Sequence, residues 1–411
     1  MDVIVVGAGV TGIACAHSLL KHGHKVTLID EASGPNQGCS FGMNGFMGAR
    51  SVQMLSSPFA GKAGLASFLA KTRRVGWDVT IGQMRFLLQL ANARSRDKWL
   101  SDRAALSELA RYSVGLTEFV SRLEDISFDQ IHGLLKVFTN EQAWEEAHKD
   151  LETWKGGEWK TVDETKAIDA SVEEVQGLLG SYFMPQELCG NGTYFSKQLQ
   201  QINNADSNLT VMYHTKALDL IREDKKVTGI KTDKGDIYAD AVVLSNNLGA
   251  VSLIEGIIAL PIQTLTGWTV TAGIDAMDNA PRHTIEFSNK DVLVSRFGNR
   301  LRVSGRFWIG EVTKDLSEKV PNELYESACE LLPHGALWRE STHWEGKVLI
   351  TPDSLPVCGE TEYEGLYLNI CHGVNGWCLS MGCAELIASA IGGEVCAIDS
   401  SPYLASRFTK K

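Results

Sequence analysis

Two glycine-bearing turns hold most of the chemistry that can be read from this 411-residue chain. The first is Gly7-Ala8-Gly9-Val10-Thr11-Gly12, preceded by the apolar run Val3-Ile4-Val5-Val6. Such a run suits a strand buried on both faces. Gly7 permits a tight turn, Gly9 lets a pyrophosphate approach the backbone, and Gly12 lets the following helix pack closely on the strand. That helix turns Ile13, Ala16, Leu19 and Leu20 inward and stops near Gly23. A second strand, Val26-Thr27-Leu28-Ile29, ends at Asp30, where an acid can hydrogen-bond an adenosine ribose. Strand, glycines, helix, strand and acid together predict a bound dinucleotide. The second turn, Cys371 to Gly376, enters a helix at Trp377, whose N-terminus offers free N–H donors and partial positive charge.

Other residue types give less. No Ser/His/Asp arrangement and no CxxC pair occurs, and His22 and His24 sit at a helix end without partner ligands, so no metal site is expected. Candidate catalytic residues are Trp268, Arg306, Trp308 and His372. Arg306 and Trp308 alternate with Phe307 and so share one face of a strand. Arg306 reads equally as a bidentate carboxylate clamp or a surface arginine. His372 reads equally as a donor to a bound ligand or a satisfied structural histidine.

The elements around these residues suggest two interwoven domains. A Gly-rich loop (38–48) is followed by a mostly helical region to about residue 125, a strand over 131–139 and a helix over 141–150. A β-meander is expected at Thr210–Ile221, Val227–Thr232 and Ile237–Leu244. Further strands are expected at Thr264–Thr271, Val292–Phe297 and Arg300–Ser304, the last two joined by Gly298-Asn299. The strand Leu366–Ile370 and the helix Trp377–Ile391 close the pattern. The fold class is α/β: a Rossmann-like dinucleotide domain from residues 1–50, 170–255 and 345–411, interleaved with an α+β substrate domain on an antiparallel sheet from 51–169 and 256–344.

Composition narrows the classes. The net charge of −11 argues against a nucleic-acid partner. Nine irregularly spaced cysteines suggest a reducing compartment rather than a disulfide framework. No run of about 18 uninterrupted apolar residues occurs, and the first strand begins at residue 2, so neither a spanning helix nor a secretory leader is expected. A cytoplasmic location follows. Residues 60–98 carry Lys62, Lys71, Arg73, Arg74, Arg85, Arg94, Arg96 and Lys98 against Asp78 and Asp97, with Phe68, Trp77 and Phe86 interleaved. That stretch reads first as a solvated helix face and second as a peripheral contact with the inner face of a membrane.

Taken together, these residues resemble the FAD-dependent D-amino-acid oxidase superfamily, with the closest likeness to the D-amino-acid dehydrogenase small subunit. The likeness rests on the opening fingerprint, Cys39-Ser40-Phe41-Gly42, Gly133-Leu134-Leu135-Lys136-Val137-Phe138 and Pro185-Gln186-Glu187-Leu188-Cys189-Gly190. It continues through Ala239-Asp240-Ala241-Val242-Val243, Thr351-Pro352-Asp353, Pro356, Gly359 and His372-Gly373-Val374-Asn375-Gly376-Trp377. It implies FAD, held non-covalently. The expected cofactor contacts are Gly7, Gly9, Val10, Thr11, Gly12, Asp30 and Glu31 near the adenosine. Ser40, Asn44, Gly45, Ala217 and Asn247 are expected along its length. Gly373, Val374, Asn375, Gly376 and Trp377 are expected at the flavin, where a helix N-terminus stabilises the anionic reduced ring.

The chain departs from that family where substrate is held. Met43-Asn44-Gly45 replaces Asn-Ala-Gly, and Ser245-Asn246-Asn247 replaces a small residue and glycine. Val348-Leu349 replaces the Arg-Pro whose arginine grips the substrate carboxylate, and Ser354 replaces a glycine. Ser304-Gly305-Arg306-Phe307-Trp308 replaces a Gly-Gly strand. The resemblance therefore implies oxidation of a C–N bond of an amino acid or amine to an imine, on a non-standard substrate. Electrons would pass to a quinone, an electron-transfer protein or oxygen. The alternatives are a flavin-dependent monooxygenase or tailoring enzyme acting on an unusual amine or peptidyl side chain, and a non-catalytic flavin-binding subunit.

Overall fold

The computed structural model describes residues 1–54, 81–149, 156–287, 290–310 and 312–408. Its first sheet has six strands in the order Val357–Glu360, Leu366–Ile370, Ala241–Leu244, Asp2–Val6, Lys25–Ile29, Leu209–Met212. All neighbours are parallel except the first pair. Alternation sorts the opening strand between two cores. Val3 and Val5 face the helices Val10–Lys21 and Gly376–Gly392, while Ile4 and Val6 face the small antiparallel sheet of Ala217–Glu223, Lys226–Thr232 and Gly235–Tyr238. The Gly376–Gly392 helix is long and apolar enough to cross a membrane, but it is core: it packs between Val10–Lys21 and Arg96–Leu123.

The second sheet runs Thr342–Ile350, Gln263–Gly273, Arg300–Ile309, Val292–Phe297, Thr284–Phe287, Ile131–Phe138, Gly180–Cys189, Phe46–Met47, with Glu158–Lys160 also on Gly180–Cys189. It is mixed rather than antiparallel, because Thr284–Phe287 lies parallel to Ile131–Phe138. One face is apolar: Val270, Ala272, Leu301, Val303 and Val294 pack on Leu324, Ala328 and Leu331 of the helix Lys314–Leu331. The opposite face looks toward the first sheet across a cleft.

Several elements differ from the sequence reading. The stretch 210–221 is two strands in different sheets, broken at His214, whose φ is +54°. There His214 N–H donates to Ala32 O and Thr215 N–H to Asp30 O, so the chain turns over the end of the Lys25–Ile29 strand. The stretch 237–244 also splits, because Asp240 leaves the small sheet to exchange hydrogen bonds with Asp2. Gly180–Cys189, grouped by sequence with the dinucleotide half, pairs in the second sheet, and residue 345 falls inside the strand Thr342–Ile350. Much of the basic stretch lies outside the described residues, including Lys62, Lys71, Arg73 and Arg74. Within the described part, Phe86 is buried, Arg85 donates to Phe408 O, and Lys98 pairs with Asp102.

Candidate active site

The first turn is built so that only glycine fits. Gly7 has φ +106°, and a Cβ there would lie 2.8 Å from Asn246 Cα; a Cβ on Gly12 would lie 1.8 Å from Gly7 O. Gly9 is less constrained by the protein, since its Cβ would meet only Ser40 Oγ at 3.1 Å. Gly9 begins the Val10–Lys21 helix without a side-chain cap, which leaves first-turn N–H groups for a ligand. Ser40 Oγ accepts from Val10 N–H at 3.1 Å. Asp30 stands beside the turn, and its two oxygens accept from Ala8 N–H (2.6 Å) and Ala32 N–H (2.8 Å). It thus braces the turn as well as pointing an acid at it. Glu31 is exposed, 4.0 Å from Lys216, and Ala217 packs in the neighbouring core; both lie at the Asp30 end, beyond the cleft.

From this turn a cleft runs between the two sheets. Val10, Thr11, Ser40, Asn44 and Asn247 border it on one side, with His372, Gly373, Val374, Gly376 and Trp377 at the start of the second helix. Across from them stand Trp268, Thr269, Ser304, Phe307, Trp344 and Val348. Among the described residues no charged side chain lines the cleft. Gly45 lies behind its wall, where a Cβ would strike Phe297 at 2.3 Å. Asn375 turns away, its amide exchanging hydrogen bonds with the backbone of Gln53.

Asn247 does more than border the cleft. Its Oδ1 accepts from Leu349 N–H and its Nδ2 donates to Lys347 O, both at 3.0 Å. One carboxamide therefore imitates a strand edge and ties the first sheet to the second. This explains Asn where the resembled family has a small residue.

A polar chain runs beneath the cleft. Ser245 Oγ donates to Thr11 Oγ1, Asn369 Nδ2 donates to Ser245 Oγ, and His372 Nε2 lies 2.9 Å from Asn369 Oδ1. The amide oxygen only accepts, so Nε2 carries the proton. Burial lowers the His372 pKa to about 4, leaving a neutral ring at physiological pH whose one proton is already engaged. His372 is therefore not a spare donor. Trp268 borders the cleft, but its ring sits in the core beneath the Lys314–Leu331 helix, with Nε1 donating to Glu345 at 3.0 Å.

Arg306 and Trp308 do share a face, and it is the wrong one. Gly305 (φ +148°) and Arg306 (φ +55°) form a bulge opposite Thr266–Trp268. The extra residue shifts the alternation by one, so Arg302 and Ser304 face the cleft side before it and Phe307 after it. Arg306 instead pairs with Glu323 and donates to Ser327 on the far helix, and Trp308 packs in the same core.

The sequence reading passed over Arg302. Its guanidinium is deeply set: Nε donates to Thr271 Oγ1 (3.0 Å), Nη1 donates to Met43 O (2.6 Å), and the group lies 5.1 Å over the Phe297 ring. Burial and nearby Arg300 lower its pKa to about 10, so it remains charged at neutral pH. The available signal was a cation alternating with apolar neighbours, Leu301-Arg302-Val303, inside a strand.

The residues present fit FAD. Gly7 and Gly12 hold a turn that any Cβ would fill, the adjoining helix is uncapped, and the cleft continues to a second helix start, where the buried Trp377 Nε1 has no protein partner. Turn, Asp30 and Ser40 would hold the adenosine and pyrophosphate, and Gly373–Trp377 the ring. Among the described residues no three His, Cys, Asp or Glu side chains converge to hold a metal.

Solved structures share the whole architecture. Glycine oxidase from Geobacillus kaustophilus matches with TM-score 0.76 at 21% identity, over 99% of this chain and 98% of that one. L-proline dehydrogenase from P. horikoshii matches with TM-score 0.72 at 16% identity, over 99% and 97%. L-amino acid deaminase from Proteus myxofaciens, in complex with anthranilate, matches with TM-score 0.72 at 15% identity, over 100% and 94%. At these identities the likeness establishes the fold. The family follows from sequence: the FAD dependent oxidoreductase model matches residues 2–390, and the chain belongs to that family of flavoenzymes.

Proposed function

We propose that the protein oxidises the C–N bond of an amino acid or amine to an imine. The observation that carries this reading is the cleft wall opposite the dinucleotide turn: apolar and aromatic, with two hydroxyls and no acid, base or nucleophile among its described residues. FAD supplies the hydride acceptor when bound; the protein's share is orientation and electrostatics. Phe307, Trp344, Val348 and Val374 exclude water, and the Thr269 and Ser304 hydroxyls offer hydrogen bonds that orient a substrate. An ammonium brought against this wall is desolvated with no carboxylate to pair with. That favours the neutral amine, the form that yields a hydride. The helix start at Gly376, without a side-chain cap, places N–H dipoles at the far end of the cleft, where developing negative charge is stabilised.

The names of the similar structures, glycine oxidase, L-proline dehydrogenase and L-amino acid deaminase, support an amino-acid or amine substrate. So does the sequence likeness to the D-amino-acid dehydrogenase small subunit. The test is an anaerobic screen of D-, L- and secondary amines against the FAD-loaded protein, following loss of the flavin absorbance. Bleaching by members of one amine class, with stoichiometric imine-derived product, is expected. A flavin that no amine reduces would overturn the reading.

A further inference from the structure

Three residues at the rim of the cleft fit together as one piece. Trp344, half-buried on the outer strand of the second sheet, lines the cleft together with Gly42 and Gly346. A Cβ on Gly42 would lie 2.0 Å from Trp344 Cε3, and a Cβ on Gly346 would lie 2.0 Å from Trp344 Cη2. At each glycine the three nearest heavy atoms that such a Cβ would meet all belong to this one indole. Neither glycine has a positive φ, so backbone conformation does not call for glycine at either position. Glycine inside a strand weakens it and often marks the close approach of another group. Here that group is the six-membered ring of Trp344. It packs on its own strand at Gly346 and, across the cleft, on the Cys39–Gly42 turn of the dinucleotide half.

The same strand is tied to the dinucleotide half just beyond the ring, where Asn247 bonds Lys347 O and Leu349 N–H, both at 3.0 Å. The seat of the ring therefore cannot widen without breaking that tie. Register decides what the ring blocks. Ser304, Thr269 and Trp344 stand opposite one another on three neighbouring strands, and all three line the cleft. Directly opposed side chains on a sheet are about 5 Å apart. The two hydroxyls available to a substrate are thus followed, one strand further out, by an indole. That strand is the edge of its sheet, and Phe41, whose ring centroid is 6.3 Å from that of Trp344, is 51% exposed. The indole stands where the cleft meets solvent.

We infer that Trp344 sets the size of the substrate: its ring ends the ledge made by Ser304 and Thr269, and the cleft takes only what stops short of it. The inference rests on the amine-oxidation reading above only in calling the occupant a substrate. Close packing makes the limit sharp, because carbons forced against a seated ring cost more than their added contact gains. The competing role is purely structural: the ring would only stitch the two halves together, and the size of an occupant would not matter to it.

The experiment titrates full-length FAD-loaded protein with benzamide and with 2-naphthamide, uncharged probes that have no hydride to give. Perturbation of the flavin spectrum and calorimetry both report binding. In an open cleft the larger ring binds more tightly, since it takes more apolar surface out of water. Wild type should reverse that order, preferring benzamide by roughly tenfold. Trp344→Ala should restore the preference for 2-naphthamide, and Trp344→Phe should fall between. A wild type that takes 2-naphthamide as tightly as benzamide, or undiminished exclusion in Trp344→Ala, overturns the inference. Should Trp344→Ala fail to hold FAD, Trp344→Phe decides, and unchanged exclusion there overturns it as well. Gly346→Ala tests the seat: it should shift the ratio of the two affinities when Trp344 is present and leave it unmoved in Trp344→Ala. An equal shift in both backgrounds overturns the seat. The two readings fail separately. Size exclusion in a protein that no amine reduces keeps the filter and removes the oxidation. Amines that bleach the flavin of a protein indifferent to probe size do the reverse.

Discussion

Replacing Asp30 with alanine separates two roles that the structure gives to one carboxylate. In the folded chain its oxygens accept from Ala8 N–H at 2.6 Å and Ala32 N–H at 2.8 Å. Hydrogen bonds to a charged acceptor each contribute about 1.5–3 kcal/mol. Both are only partly buried, so the lower end applies, and Asp30→Ala should cost the FAD-free protein about 3 kcal/mol. A further bond to the adenosine ribose would add about 1.5–3 kcal/mol to FAD binding, roughly a ten- to 150-fold rise in its dissociation constant. Asp30→Asn retains one accepting oxygen without the charge and should fall between wild type and alanine in both measurements. Urea unfolding of the FAD-free variants reads the first effect, and quenching of flavin fluorescence on titration reads the second. Unchanged unfolding in Asp30→Ala would refute the bracing role. Weakened folding with unchanged FAD affinity would refute the ribose contact.

Arg306→Ala should leave substrate saturation unchanged, because the side chain points to the far helix; its ion pair with Glu323 is one-third exposed on each side, so stability should fall by at most about 1 kcal/mol in thermal unfolding. Acid precipitation should release all of the FAD, since burial raises the pKa of Cys39, the cysteine that borders the cleft, and so disfavours the thiolate that a flavin bond would need; flavin remaining with the pellet would contradict non-covalent binding.

What the sequence disclosed was local. The glycine turn, the strands Val292–Phe297 and Leu366–Ile370, and the Gly298-Asn299 connection were legible because neighbouring residues set them. Alternation put Arg306 and Trp308 on one face, as observed, but could not say which face, because a bulge at Gly305-Arg306 reverses the alternation. No periodicity reports a bulge, although two residues with positive φ create it. Gly180–Cys189 was grouped with the dinucleotide half because the two longer-range strands that fix its sheet, Ile131–Phe138 and Phe46–Met47, are more than forty residues away along the chain. Asn247 read as an anomaly in a cofactor motif, because its meaning lies in Lys347 and Leu349, a hundred residues on.

Asn247 also constrains how the gene can drift. The position requires a short side chain that donates with one atom and accepts with another about 2 Å away, a demand that asparagine meets and its mutational neighbours do not. Aspartate would set two acceptors against the Lys347 carbonyl, serine and threonine are too short to reach both strand atoms, and lysine and histidine lack the paired geometry. The two halves of the molecule are therefore free to diverge in most of the cleft wall, but they must inherit this residue and the Lys347–Leu349 backbone together.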